Sequence, residues 1–414
     1  MTIQRITLLG SSSGRNAGDA ALIAGIMDAI DEATESELLY EIPTIRPDFI
    51  RNNYRNRTLP IGMMPWQFSL KMLGIPTYRS LLRSDLALIF DAILFDRALY
   101  NPLFNYMSSL WLMLPRIKKA GKLLGCYNVG IGPADSSMGQ RMLRDILEMM
   151  DFITVREPSG LAAIKDLGVT NPRVMVTADA ALTLRPADDI RISSIMRSLG
   201  INNEKHLLGI NINAYLDTWV RPKRPSMGRE RFLAAYAEGI SKFARSTGAT
   251  LVFIATQHHD VAITKALMER ISAPVKKVLL ANTVYNHHDI KGVMQRLSLL
   301  FGMRLHATIL GASALLPTLG IEYQPKVRYF FELLGLPERC MSFANFSSEE
   351  IYKYLQSGWE SRALIKEHLI SVIPALQEEA LKPATLISLL SRGDSLDSAW
   401  RQINSPQAAR ASAQ

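Results

Sequence analysis

A single unit recurs along this chain: an apolar run of five to nine residues, a loop bearing glycine, then an amphipathic helical pattern. That alternation is the mark of parallel α/β structure, because parallel strands need a crossover element between them. The first series comprises RITLLG (5–10), LALIF (86–90), KLLGCYNVG (122–130), FITVRE (152–157) and RVMVTAD (173–179), with helical patterns such as 19–33 and 137–150 between them. The stretch LRPADDIRISS (184–194) interrupts the pattern with proline and charge. A second series follows: LLGININ (207–213), ATLVFIATQ (249–257), VKKVLLA (275–281), LSLLFGM (297–303) and LPTLGIEY (316–323). Two successive series predict two doubly wound, Rossmann-like α/β domains facing a cleft. The boundaries expected are an N-terminal domain over 1–185, a linker over 186–205 and a C-terminal domain over 206–346. Helices over 347–400 are positioned to cross back to the first domain, and 401–414 reads as a disordered tail.

Composition removes several classes. Of 414 residues, 48% are hydrophobic and 21% charged, which suits a globular protein and not a disordered one. The longest apolar runs, such as LALIFDAILF (86–95), fall short of the roughly 18 residues that a spanning helix needs. The N-terminus lacks the pattern of a signal peptide, since Arg5 is followed at once by a strand-like run. Cys126 and Cys340 lie in apolar surroundings with no ligand spacing around them, so they read as reduced packing residues of a cytoplasmic protein. The net charge is +9, but apart from one denser stretch the basic residues are scattered, which argues against a nucleic-acid partner. One denser stretch, residues 46–83, mixes basic, aromatic and proline residues. It could suit an anionic membrane surface at the cytoplasmic face or a phosphorylated substrate, or be a solvated loop and helix.

In open α/β domains ligands sit beyond the carboxyl ends of the strands, which singles out certain loops. The first, SSSGRNAGDAAL (11–22), is neither a P-loop nor a dinucleotide fingerprint, because no Gly-Lys-Ser/Thr follows and its glycines are four apart. Asn16, Gly18 and Asp19 stand between strand and helix, where backbone N–H groups favour an anion, and Asp19 is also placed to cap the helix. Gly132 in VGIGPADSS (129–137), Arg156 and Glu157 in TVREPSG (154–160), and Asp179 in VTADAAL (176–182) extend the rim. A surface ion pair is the plain reading for Arg156 and Glu157, and an interdomain cap for Asp179. The most pointed stretch is LFGMRLHATILGASAL (300–315), where Arg304 and His306 fall at a strand-to-helix handover. A guanidinium can clamp a carboxylate or phosphate, and an imidazole can move a proton near neutral pH. His258, His259, His287 and His288 also follow second-series strands, as rim or core histidines without a distinct partner. No metal-ligand spacing is present.

Together GRNAGDAAL, VGIGP, VREPSG, TADAAL, RLHATILG and IEYQPK, in this order over residues 6–330, resemble the polysaccharide pyruvyl transferase family. The resemblance implies a two-domain fold like that of the GT-B glycosyltransferases. It also implies transfer of pyruvate from phosphoenolpyruvate to two hydroxyls of a sugar, with phosphoenolpyruvate as co-substrate and no cofactor. On that reading His306 is the acid–base, Arg304 holds the donor carboxylate, and Asn16, Gly18, Asp19, Gly132, Arg156, Glu157, Asp179 and Lys326 contact substrates. The acceptor is a sugar or oligosaccharide, free or lipid-linked. One departure stands out: family members carry a Gly-Gly pair where this chain has Phe90, Asp91 and Ala92. A bulky side chain there would crowd a ligand approaching the backbone, or Asp91 could itself meet sugar hydroxyls. Two other readings stay open, a GT-B glycosyltransferase using a nucleotide sugar and a non-catalytic scaffold of an envelope assembly complex.

Overall fold

The computed structural model describes residues 3–63, 70–96, 106–214, 228–342 and 346–405. The chain divides into two compact units. One comprises Met1–Gly14, Asp19–Thr183 and Ala375–Gln414, and the other Arg15–Gly18 and Leu184–Pro374.

The first unit is built on β1 (Arg5–Leu9), β2 (Leu39–Thr44), β3 (Thr58–Gly62), β4 (Leu86–Ile89), β6 (Leu123–Val129), β8 (Phe152–Val155) and β9 (Val174–Val176). They form one seven-stranded sheet in the order β3-β2-β1-β4-β6-β8-β9. Every pairing is parallel; Ile6, for example, lies opposite Tyr40 on one side and Leu86 on the other. A small parallel ladder joins β5 (Leu94–Asp96) to β7 (Ile131–Ala134). The helices are α1 (Ala17–Thr34), α2 (Pro47–Asn53), α3 (Leu70–Arg83), α4 (Tyr106–Lys119), α5 (Ser137–Met149) and α6 (Pro158–Asp166). Strands covered on both faces read as continuous apolar runs, which is why β1, β4, β6 and β8 stand out in the sequence.

Two strands of this sheet, β2 and β3, lie outside the expected series. Their sequences, LYEIPT and TLPIG, carry prolines and the fully buried Glu41. Arg5 Nη1 and Arg83 Nη2 neutralise that carboxylate at 3.1 and 3.0 Å. A charge paired in this way is compatible with a strand interior that hydrophobic patterning would reject.

The second unit holds β10 (Leu207–Ile210), β11 (Thr250–Ala255), β12 (Lys277–Ala281), β13 (Leu299–Gly302), β14 (Thr318–Glu322) and β15 (Cys340–Ser342), ordered β12-β11-β10-β13-β14-β15 and all parallel. This is the doubly wound order 3-2-1-4-5-6, with its switch point between β10 and β13. Its helices are α7 (Asp189–Ser198), α8 (Arg229–Thr247), α9 (Asp260–Arg270), α10 (His287–Met294), α11 (Leu305–Ser313), α12 (Pro325–Leu333) and α13 (Ser348–Glu360).

The stretch expected as a linker is different in kind. Asp188 accepts the Arg191 N–H at 2.8 Å and so caps α7, which buries Ile192, Ile195 and Met196 within the second unit. Proline and acid there mark a helix start, not an open tether. Helix α14 (Arg362–Ser391) contributes to the second unit through Pro374 and to the first from Ala375, and α15 (Leu396–Asn404) belongs to the first. Of the expected tail, residues 401–404 thus continue α15, and residues 406–414 lie outside the described residues. Residues 64–69 of the basic stretch and 97–101 of the Gly-Gly-replacing segment also lie outside them. Both cysteines are free and buried. No helix among the described residues is long and apolar enough to cross a membrane.

Candidate functional site

In the second unit the polar residues gather at the carboxyl ends of β10, β11, β13 and β14, around the switch point. Asn211, directly after β10, is fully buried, and its Oδ1 accepts the backbone N–H of Arg304 at 2.9 Å and of Met303 at 3.3 Å. Its Nδ2 donates to the Ile254 carbonyl at 2.9 Å. One amide therefore ties three strand ends together and fixes where α11 begins. Arg304 occupies the N-cap of that helix.

The Arg304 guanidinium is itself engaged. Nη2 donates to Asp260 Oδ1 at 2.7 Å, and Nε donates to Oδ2. Asp260 is fully buried at the start of α9 and also accepts the Ala214 N–H at 2.9 Å. Such a two-pronged pair fixes both side chains. Arg304, expected as a clamp for the donor carboxylate, is in this structure a strut between α9 and α11. The sequence reading missed Asp260 and Asn211. Their signal was a polar residue directly beyond a buried strand or opening a helix, in LLGININ and ATQHHD.

Four residues of the opening loop, Arg15–Gly18, belong to the same unit. Asn16 bridges Gln257, Ala17 N donates to Thr256 O at 2.8 Å, and His258 N donates to Arg15 O at 3.0 Å. Residues 15–17 thus extend the end of β11. Asn16 Oδ1 accepts the Gly18 N–H at 3.0 Å and caps α1. That corrects the expectation for Asp19, which lies one residue past Gly18 inside the first turn and so beyond the capping position. Gly18 has a strict steric reason to be glycine. A Cβ there would lie 2.3 Å from His306 Cγ and 2.4 Å from its Nδ1. The half-buried imidazole is seated directly against Gly18. Lys326 follows Pro325 in the first turn of α12, partly exposed, with no ion pair to a described residue.

Of the other histidines singled out in the sequence, His258 and His259 adjoin this group and His287 and His288 do not. His258 and His259 lie in the loop that pairs with Arg15, His259 exposed. His287 is fully buried, and burial, then His288 at a ring distance of 4.2 Å, hold its pKa well below the usual value. It is a neutral core group. His288 Nδ1 bonds the Arg185 carbonyl at 2.6 Å.

The first unit has its own buried cluster. Arg156 Nη1 donates to Asp179 Oδ2 at 2.9 Å, both side chains almost wholly buried, and Asp179 Oδ1 accepts the Ala181 N–H. This corrects the surface-pair reading: the partner of Arg156 is Asp179, 23 residues away, and not its neighbour Glu157, which occupies the N-cap of α6. Burial works against the Arg156 charge, but Asp179, Glu157 and Asp91 outweigh it and raise its pKa. Its Nε has no hydrogen-bond partner among the described residues.

Asp91 has φ +66°, the left-handed conformation that a glycine would adopt freely. Asp91 thus holds, with a carboxylate on it, a backbone shape that the glycine expected here would adopt without strain. Phe90 beside it is fully buried with its ring against Gly10, where a Cβ would come within 2.4 Å. The end of β1 is filled at that point. Gly132 lies elsewhere, lining a cavity of about 450 Å³ between β7, α5 and α6 whose walls include Arg141, Arg144 and Asp166.

A family model described as polysaccharide pyruvyl transferase matches residues 16–325, from the capping Asn16 to the proline opening α12. The chain belongs to the polysaccharide pyruvyl transferase family. It is thus a member of a transferase family. No curated protein matches it in sequence. Among solved structures it is similar to a putative UDP-N-acetylglucosamine 2-epimerase from Listeria monocytogenes, at 12% identity and TM-score 0.66, over 96% of this chain and 98% of that one. It is also similar to Anabaena Alr3699/HepE in complex with UDP-glucose, at 13% identity and TM-score 0.58, over 99% and 100%. A third is UDP-GlcNAc 2-epimerase from Neisseria meningitidis bound to UDP-GlcNAc, at 10% identity and TM-score 0.60, over 93% and 99%. At such identities the likeness is one of fold, and the fold of this pyruvyl transferase family member is GT-B.

Proposed function

We propose that this protein transfers pyruvate from phosphoenolpyruvate to two hydroxyls of a sugar, closing a cyclic ketal in the synthesis of a bacterial exopolysaccharide or cell-envelope glycan. The observation that carries the reading is the seat of His306 on Gly18, which joins the two motifs most characteristic of the family resemblance. An imidazole so held is a positioned proton donor and acceptor. His306 protonates the methylene carbon of the enol ester. One sugar hydroxyl adds to the central carbon and returns a proton to the His306 imidazole; the C–O bond to phosphate then breaks, and a second hydroxyl closes the ketal as its proton leaves with the phosphate.

The donor is an anion at both ends and needs cations. Lys326, at a helix N-terminus, fits that task, while Arg304 acts through Asp260 to hold the α11 start and with it His306. In the first unit, the Asp91 carboxylate makes no hydrogen bond to a described residue and is the contact assigned to acceptor hydroxyls. The scheme uses no cofactor, and it belongs in the cytoplasm, where phosphoenolpyruvate is made.

The test is thermal unfolding of the parent, His306→Ala and Lys326→Ala with phosphoenolpyruvate, UDP-glucose or GDP-mannose. Phosphoenolpyruvate should raise Tm in the parent and in His306→Ala, and much less in Lys326→Ala. Stabilisation by a nucleotide sugar alone would replace pyruvyl transfer with glycosyl transfer. An equal phosphoenolpyruvate shift in Lys326→Ala would remove that lysine from the donor site.

A further inference from the structure

The charge of this protein is distributed very unevenly. Residues 49–84 contain six Lys and Arg and no Asp or Glu, and residues 97–134 contain five and none. Outside these two stretches acidic residues outnumber basic ones by two, so the whole net charge of +9 resides in them. The described parts of both stretches fall in the first unit, where α3 and α4 pack against each other.

The outward faces of these two helices share one pattern. On α3, Ile75, Arg79 and Leu82 follow at i, i+4 and i+7; on α4, Leu112, Arg116 and Lys119 do the same. All six are exposed, and the aliphatic ones are large: Ile75 at 59%, Leu112 at 52% and Leu82 at 36%. Residues at this spacing lie on one side of a helix. Solvated helix faces on a protein of this composition carry both signs of charge and few exposed aliphatic side chains. Here cations alternate with aliphatic side chains, and neither helix contains a carboxylate.

We propose that the α3–α4 face is a docking surface for an anionic lipid bilayer. The cations meet lipid phosphates and the three aliphatic side chains enter the headgroup boundary, the two attractions that hold an interfacial amphipathic helix. Polyanions such as nucleic acid would use the charges but leave the aliphatic residues in water. The surface stands independently of the pyruvyl-transfer reading, because a vesicle without any sugar is enough to test it.

The experiment is flotation of the full chain with vesicles of phosphatidylcholine, with or without phosphatidylglycerol. Parent protein should float with the phosphatidylglycerol vesicles, less so in high salt, and not with phosphatidylcholine alone. Arg79→Glu with Arg116→Glu should weaken binding at least about thirtyfold, from about fivefold for each cation lost near the surface, before the repulsion of the added carboxylates. Lys265→Glu with Lys353→Glu, the same charge change on exposed lysines of the second unit, should leave binding within about twofold, the residual long-range effect. Ile75→Ser with Leu112→Ser should also weaken it while leaving Tm unchanged. No flotation of the parent, equal flotation on neutral vesicles, or equal losses in the two charge-reversed pairs would overturn the proposal. Binding to heparin or DNA without flotation would overturn it in favour of a soluble polyanion.

Discussion

Replacing Asp260 by alanine tests the account of the switch point without any substrate. The carboxylate is fully buried, and the Arg304 side chain keeps 11% of its surface exposed. Removing it leaves a buried guanidinium without its counter-charge and the Ala214 N–H without its acceptor. Breaking a buried pair from one side costs about 3–5 kcal/mol. For a unit of this size each kcal/mol moves the midpoint by about 2–4 °C, so the second unit should unfold roughly 6–20 °C lower. Arg304→Ala leaves the opposite charge stranded and should cost a similar amount. The double variant should cost less than the sum of the two by about 1–3 kcal/mol, because neither orphan then remains. Differential scanning calorimetry and denaturant unfolding of all four proteins complete the cycle. Additivity within about 0.5 kcal/mol would refute the coupling, and with it the claim that Arg304 is a strut.

Other outcomes follow from neighbouring features. Gly18→Ala forces a methyl group into the His306 ring. It should cost about 1–3 kcal/mol and move the imidazole resonances in NMR; unmoved resonances would show that the seat is not there. Lys291, almost fully buried on α10, has its pKa pushed down to about 7 by burial. Between pH 7 and the ordinary lysine value of 10.5 the unfolded chain holds the extra proton, so parent stability should rise with pH by up to about 1.4 kcal/mol per unit relative to Lys291→Met. A flat difference across that window would show that Lys291 is charged in the folded protein. Glu41→Ala removes the carboxylate shared by Arg5 and Arg83 and opens space inside β2. A loss of about 2–4 kcal/mol in urea unfolding is expected, and a loss below about 1 would place little weight on that pair.

How legible all this was depended on distance along the chain. The alternation of strand and helix was plain, because strands buried on both faces are mostly apolar, as β13 is and as β11 is after Thr250. The strands β2 and β3 were hidden, since nothing near Glu41 announces that Arg5 and Arg83 arrive to neutralise it. The loop carrying Asn16 and the strand end carrying His306 were visible as separate motifs, but their contact was not, because 288 residues separate Gly18 from His306. Arg304 shows the same limit more sharply. Its type suggested a ligand clamp, and only the fold reveals that Asp260 takes the guanidinium. At Asp91 the departure from the expected glycine was legible, whereas the left-handed backbone is a property of the chain's path.

The C-terminal return has a consequence for synthesis. The Asn128 amide donates to Ala380 O at 2.9 Å, Gln377 donates to Leu182 O at 2.9 Å, and Ser388 donates to Ala33 O, all within the first unit. The first unit therefore waits for residues that leave the ribosome nearly 200 positions after Thr183. At about 5–20 residues per second that interval is on the order of 10–40 s, during which the nascent sheet lacks its last helical cover. The second unit receives nearly all of its chain before the first does. A ribosome-stalled chain in which residue 374 has just emerged from the exit tunnel should accordingly resist protease over 184–374 while residues 19–183 are still cut, reversing the N-to-C order in which domains usually mature.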